Sequence, residues 1–244
     1  MKSQLHGKSQ LDGKRVVIIG RGSGIARASV LAAAEAGAEV IVAGRNVDAL
    51  REAYADRGFA AERVDLTDEA SVEAFAERIG ELDHLVSTAS SRARGLLREL
   101  DRDAVRTSFD TKVIGPLMLA KHFVDRFRPG GSLTIFSGVA AFKPAIGYLG
   151  VAITNGAADF LTRSLALEMA PTRVNAISPG VIDTGIWDSL GEAGKAEYFE
   201  HFITQNPARR IGTVDDIAEA VVFAMTNRFL TGLTLRVDGG EPLT

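Results

Sequence analysis

Val16-Val17-Ile18-Ile19-Gly20-Arg21-Gly22-Ser23-Gly24-Ile25-Ala26 is the stretch on which the reading of this chain turns. Four β-branched residues between Arg15 and Gly20 read as a short buried strand. The glycines behind them permit a tight turn, and a helical stretch runs from Gly24 to about Ala36, closed by Gly37. Strand, glycine turn and helix in that order bring backbone N–H groups at a helix start against a phosphate. A plain tight turn is the alternative.

Outward from this point, strands and helices alternate. Strands are expected at Glu39–Ala43, Phe59–Val64, His84–Ser87, Ser132–Phe136, Arg173–Ile177 and Thr234–Val237. Helices are expected at Val47–Arg57, at Thr67–Ile79 with Thr67 as N-cap, at Asp101–Phe127 with a bend or break near Pro116, and at Ala152–Met169. Apolar strands joined by helical crossovers give an α/β fold: a single Rossmann-type, doubly wound parallel sheet with helices on both faces. That domain is expected over residues 12–244, after a polar N-terminal extension at 1–11. Ligands of such sheets lie beyond the carboxyl ends of the strands, here just after Ile19, Ala43, Val64, Ser87, Phe136 and Ile177.

Composition narrows the function. In 244 residues, 46% are hydrophobic and 24% charged, which is ordinary for a globular chain. A formal net charge of -3 provides no bulk basic field for nucleic acid or an anionic membrane. The absence of cysteine excludes disulfides, thiolate nucleophiles and Cys-bound metal. No apolar run reaches the roughly 18–20 residues of a membrane span. Met1 to Asp12 is polar and lacks the apolar stretch of a secretion signal, so a cytoplasmic protein is expected. His6, His84, His122 and His201 are scattered without ligand spacing, so no metal site is expected. No nucleophile–base motif of the hydrolase type is visible.

Arg45 directly follows the second strand, where the adenosine ribose of a dinucleotide would reach. An acidic residue there would favour a free 2′-hydroxyl; Gly44-Arg45 carries none. Arg45, with Arg21 as a second candidate, has the fork geometry for a 2′-phosphate, which favours NADP (NADPH over NADH). An ordinary surface arginine is the alternative.

From about Leu11 to Gly240 the chain resembles the short-chain dehydrogenase/reductase family. Gly20 to Ala26 matches its glycine turn, with Ile19 where Thr is usual and Ala26 in place of the last Gly. Asn175-Ala176-Ile177-Ser178-Pro179-Gly180, Thr231-Gly232 and Val237-Asp238-Gly239-Gly240 match further segments. The resemblance implies a coenzyme held by Gly20, Arg21, Gly22, Ser23, Gly24, Ile25 and Arg45. It also implies Asp65 and Leu66 beside the adenine, Ser87, Thr88 and Ala89 after the fourth strand, and Pro179, Gly180, Ile182 and Thr184 toward the carboxamide and pyrophosphate. A homodimer or homotetramer packed through the Asp101–Phe127 and Ala152–Met169 helices is implied as well.

The match fails at the chemistry. The family uses a Tyr as general acid/base, a Lys four residues on, a Ser after the fifth strand and an Asn on the preceding long helix. Those positions fall on Val151, Asn155, Gly138 and Lys112, and the usual Asn-Asn-Ala-Gly reads Ser87-Thr88-Ala89-Ser90. Loss of a general acid/base costs roughly 10²–10⁴-fold. A relocated centre on Tyr148 and Lys112, with Asn155 exchanged for the usual Lys, is one expectation. The other is that Tyr148 lines an apolar wall and Lys112 is solvated or ion-paired. Residues 185–206 form the expected substrate lid; Trp187, Tyr198, Phe199 and Phe202 point to a moderately apolar small molecule, or to packing on the body or a second subunit. Two functions follow: an NADP-dependent oxidoreductase with a non-standard centre, or a catalytically inactive nucleotide-binding sensor or scaffold.

Overall fold

The computed structural model describes residues 10–244. The first half of the chain runs β1 (Arg15–Ile19), α1 (Gly24–Glu35), β2 (Glu39–Gly44), α2 (Val47–Ala53), β3 (Ala60–Arg63), α3 (Glu69–Ile79) and β4 (Leu82–Ser87). There follow α4 (Arg102–Phe109), a π-helical turn (Asp110–Ile114), α5 (Gly115–Phe123), β5 (Phe127–Phe136), α6 (Leu149–Glu168) and β6 (Arg173–Pro179). The last part holds β7 (Ile182–Asp183), α7 (Gly191–Gln205), β8 (Gly212–Thr213), α8 (Val214–Thr226) and β9 (Thr234–Val237).

Seven strands form one sheet in the order β3-β2-β1-β4-β5-β6-β9, every pair parallel. This is the doubly wound Rossmann-type α/β fold expected from the alternation. The central strands are apolar on both sides because both sides are covered. Val17 and Ile19 enter a core with Phe75, Leu119 and Phe123 from α3 and α5, while Val16 and Ile18 enter another with Val30, Ile217 and Val221 from α1 and α8. Burying each such side chain contributes about 1.5–3 kcal/mol. The winding reverses between β1 and β4, which opens a crevice beyond their carboxyl ends.

Several boundaries differ from the expected ones. Asp68, not Thr67, caps α3: its carboxylate accepts from the N–H of Ala70 at 3.1 Å, while the Thr67 hydroxyl donates to Asp65 at 2.8 Å. The long helix divides at the π turn just before Pro116, which sits in the first turn of α5 where its missing N–H costs little. The expected strand at Ser132–Phe136 starts earlier, at Phe127. Helix α8 was not expected, although Thr213 and Asp216 form a capping box at its start. Of the expected extension, residues 1–9 lie outside the described ones; Leu11 is buried and its N–H donates to Ala36 O at 2.8 Å.

Asp83 anchors the start of β4. Its carboxylate accepts from Lys14 Nζ at 2.8 Å, from the Arg15 N–H at 2.9 Å and from Arg128 at 3.3 Å. Burial opposes its ionisation, but the bonds from Lys14 and Arg15 outweigh that and hold its pKa below the usual 3.8. A depressed carboxylate pKa stabilises the fold above the unfolded-state value and loses that contribution as pH falls through the folded one. Asp83→Asn is therefore expected to cost about 1.5–3 kcal/mol at pH 7 by urea denaturation, with the gap from wild type closing below about pH 4.

Candidate active site

The turn after β1 is shaped by the end of β4. Thr88 donates both its N–H, at 2.9 Å, and its hydroxyl, at 3.0 Å, to the Ile19 carbonyl, while the Gly20 N–H donates to Ala43 O at 2.9 Å. A Cβ on Gly20 would collide with the Thr88 hydroxyl and stand 2.7 Å from Ala26 Cβ, so only glycine fits. Ser23 occupies the N-cap of α1 without closing it by a side-chain bond, and no acidic residue stands in the first turn. Its N–H groups are thus left for an anion. Thr184 packs against Gly24, whose Cβ position lies 3.5 Å from Thr184 Cβ. Ile182 is buried in β7, and the Gly180 N–H donates to Val237 O at 3.0 Å. An open glycine turn and a helix start with neither a side-chain cap nor an acidic residue in its first turn fit the phosphates of a dinucleotide.

Gly22, Ser23 and Ile25 lie on this turn with Gly20 and Gly24. Ser87 is buried at the end of β4, and Ala89 packs on the core. Leu66 is buried against Gly115. Burial pushes the Asp65 carboxyl up, but bonds from the Thr67 N–H and hydroxyl and the charges of Arg45 and Arg63 bring it below its ordinary value. Arg45 is exposed beside Asp65. Arg21, also exposed, instead faces Arg92 closely enough to depress that guanidinium. The two arginines paired in the sequence reading therefore have different neighbours.

Lys112 and Asn155 meet. Lys112 lies in the π turn, is only 8% exposed, and donates from Nζ to Ser137 O at 2.8 Å and to Asn155 Oδ1. It is neither solvated nor ion-paired: burial first, and the charge of Arg92 second, bring the amine from 10.5 to about 7. The Ser137 hydroxyl donates to Asn155 O at 2.9 Å and so is turned onto the α6 backbone. Gly138 leaves no room for a side chain, since its Cβ would lie 2.7 Å from Asn155 Nδ2. Val151, in the first turn of α6, offers no polar group.

Tyr148 precedes α6 and lies under Arg94, whose Cζ is 4.8 Å from the ring centroid. No hydrogen bond joins Tyr148 to Lys112 among the described residues; Arg92 lies near both and lowers the Lys112 amine after burial. Tyr148 faces Tyr198 of α7, whose phenol is pushed up to about 12 by burial first and then by Tyr148. Tyr198 stacks on Trp187 at 4.4 Å and lies 4.9 Å from Phe202, and the Trp187 indole donates to Ile182 O at 2.9 Å. No residue of α7 is fully buried. His84, by contrast, is buried inside β4 with Nδ1 2.8 Å from Ser132 Oγ, and burial holds it down at about 4.

Arg92 and Arg94 were missed in the sequence. The signal was present: Ser91-Arg92-Ala93-Arg94-Gly95 follows β4 directly, at a strand end where ligands of this fold bind.

The sequence pattern of the family described as Enoyl-(Acyl carrier protein) reductase matches residues 19–241. The short-chain dehydrogenase/reductase ATR9 of Stachybotrys chlorohalonatus (strain IBT 40285) is 34% identical over 93% of this chain and 96% of that protein. The chain belongs to the short-chain dehydrogenase/reductase family. The L-xylulose reductase of Mus musculus is 30% identical over 94% of this chain and 97% of that protein. Among solved members of the family, a small-chain dehydrogenase in complex with NADPH superposes with a TM-score of 0.83, at 32% identity over 96% of this chain and all of that one. A gluconate 5-dehydrogenase from Burkholderia cenocepacia J2315, in complex with NADP and tartrate, gives 0.84 at 28% identity over 96% of this chain and 97% of that one. Among the described residues, no helix is long and apolar enough to cross a membrane.

A lysine with a depressed pKa destabilises the fold as pH falls. Both states are neutral above 10.5, and the penalty grows until the folded amine takes its proton at about 7. Relative to Lys112→Met, wild type should therefore gain stability between pH 7 and pH 10 in urea titrations. A constant difference would mean that the amine keeps its ordinary affinity for protons.

Proposed function

We propose that this protein is an NADP(H)-dependent oxidoreductase that interconverts a carbonyl and an alcohol at a centre without the family's usual side chains. The carrying observation is the open cradle at the β1/β4 reversal, with no acidic residue in the first turn of α1 and Arg45 exposed directly after β2. Gly20 to Ile25 and Thr184 would hold the pyrophosphate, Asp65 and Leu66 the adenine, Arg45 the 2′-phosphate, and Pro179, Gly180 and Ile182 the carboxamide side. The solved relatives bound to NADPH and NADP support the same coenzyme here. When bound, that coenzyme supplies or accepts a hydride.

In this reading Lys112, Gly138, Val151 and Asn155 stand where the family has Asn, Ser, Tyr and Lys. The protein's part is then to move one proton to the carbonyl oxygen. Tyr148, at the cleft mouth beneath Arg94, is the proposed donor. Lys112 changes protonation near neutrality because it is buried, and Asn155 fixes its position. The residue 185–206 segment, with its stacked Trp187 and Tyr198, is the proposed lid.

Nucleotide binding without turnover is the second reading. It is favoured by the Lys112 amine, two of whose protons are committed to Ser137 and Asn155, and by the Ser137 hydroxyl turned away onto α6. NADPH consumption against a carbonyl panel separates the two. Turnover lowered about 10²-fold or more in Tyr148→Phe and Lys112→Ala supports the oxidoreductase. NADPH binding with no consumption of any carbonyl supports the second reading.

Exposed Leu117 and Val124 around α5, and Ile153, Phe160 and Leu167 on α6, support a homodimer or homotetramer packed through these helices. Light scattering should give two or four copies for the wild type and a lower mass for Phe160→Arg. Arg45→Ala should weaken NADPH by about 10–100-fold in fluorescence titrations and leave NADH nearly unchanged. Equal losses for both coenzymes would place Arg45 outside the 2′-phosphate site.

A further inference from the structure

Three arginines converge at the mouth of the cleft. Arg92 is depressed first by its own desolvation and then by Arg94, and Arg21 adds to the effect. Arg92 in turn acts on the buried Lys112. Among the described residues none of the Arg21, Arg92 and Arg94 side chains enters a salt bridge or a hydrogen bond to protein. Residues 1–9 contain no Asp or Glu. Glu241 is the one acid felt by the neighbouring Tyr198; its own carboxyl is raised by burial and salt-bridges to none of the three.

A chain of net charge -3 thus gathers uncompensated cations at one point, against mutual repulsion. The point lies beyond the carboxyl end of β4, beside Tyr148 and Tyr198. Arg94 Cζ sits 4.8 Å from the Tyr148 ring centroid, and its planar guanidinium keeps its donor fork free of protein acceptors among the described residues. Such a fork matches a carboxylate through two parallel N–H bonds. In the proposed function the coenzyme's phosphates go to α1 and Arg45, which leaves these arginines to another ligand.

We propose that Arg92 and Arg94 form a carboxylate-binding subsite, so that the ligand is a carbonyl or alcohol compound carrying a carboxylate, with apolar substance against Tyr148 and Tyr198. This rests on the oxidoreductase reading and names the substrate class of the same cleft.

The test uses the full chain loaded with NADP⁺ and titrated by calorimetry with benzoylformate, its methyl ester and phenyl phosphate. A calorimetric titration with NADP⁺ first confirms loading; failure there overturns the coenzyme reading and not the subsite. With coenzyme bound, benzoylformate should bind at least about tenfold more tightly than the ester, and Arg92→Gln/Arg94→Gln should abolish that preference. The proposal is overturned if the ester binds as well, if neither ligand binds, or if the preference survives the double substitution. Tighter binding of phenyl phosphate would reassign the subsite to phosphate esters. A loss of coenzyme affinity above about tenfold in the double variant would reassign the arginines to the coenzyme.

Discussion

The Ile19 carbonyl receives two hydrogen bonds from Thr88, and the cleft is built around that junction. It locks the end of β1 to the end of β4 where the winding of the sheet reverses. The glycine turn can then lie flat only because residue 20 has no side chain. From the same point the chain beyond Thr88 sets out the loop that carries Arg92 and Arg94. The glycine turn and the loop of Arg92 and Arg94 are therefore two sides of one backbone contact, supported by strands buried on both faces.

Beside this rigid half stands a buried polar cluster. Lys112, Ser137 and Asn155 satisfy one another through short-range hydrogen bonds, as buried polar groups must. A side chain at residue 138 would break into that set. Replacing any one of these residues alone would leave its partners unmatched.

Most of the architecture was legible. The β-branched run at Val16–Ile19 marks a strand because only a doubly covered sheet buries it, and the glycines behind it mark the turn into α1. Helix α8 escaped because its capping box at Thr213 follows the irregular segment 185–206, which masked the return of periodicity. The Thr67 cap failed because Asp65 captures that hydroxyl locally. Register singled out Asn155 and Lys112 on two helices, but not their mutual bond, since a pairing across 43 positions has no local signature. Arg92 was passed over because a surface arginine looks alike in sequence whether it faces water or a cleft.

The π turn at Asp110–Ile114 holds one residue more per turn than the helices on either side. One residue of an α-helix spans about 100° of rotation. Deleting a single residue here would restore regular winding, swing α4 around α5 by about that angle, and carry Lys112 off the α6 face. The phase of this helix, and not side-chain identity alone, fixes which residue stands at the heart of the cleft, so a one-codon indel would rebuild the centre in a single step.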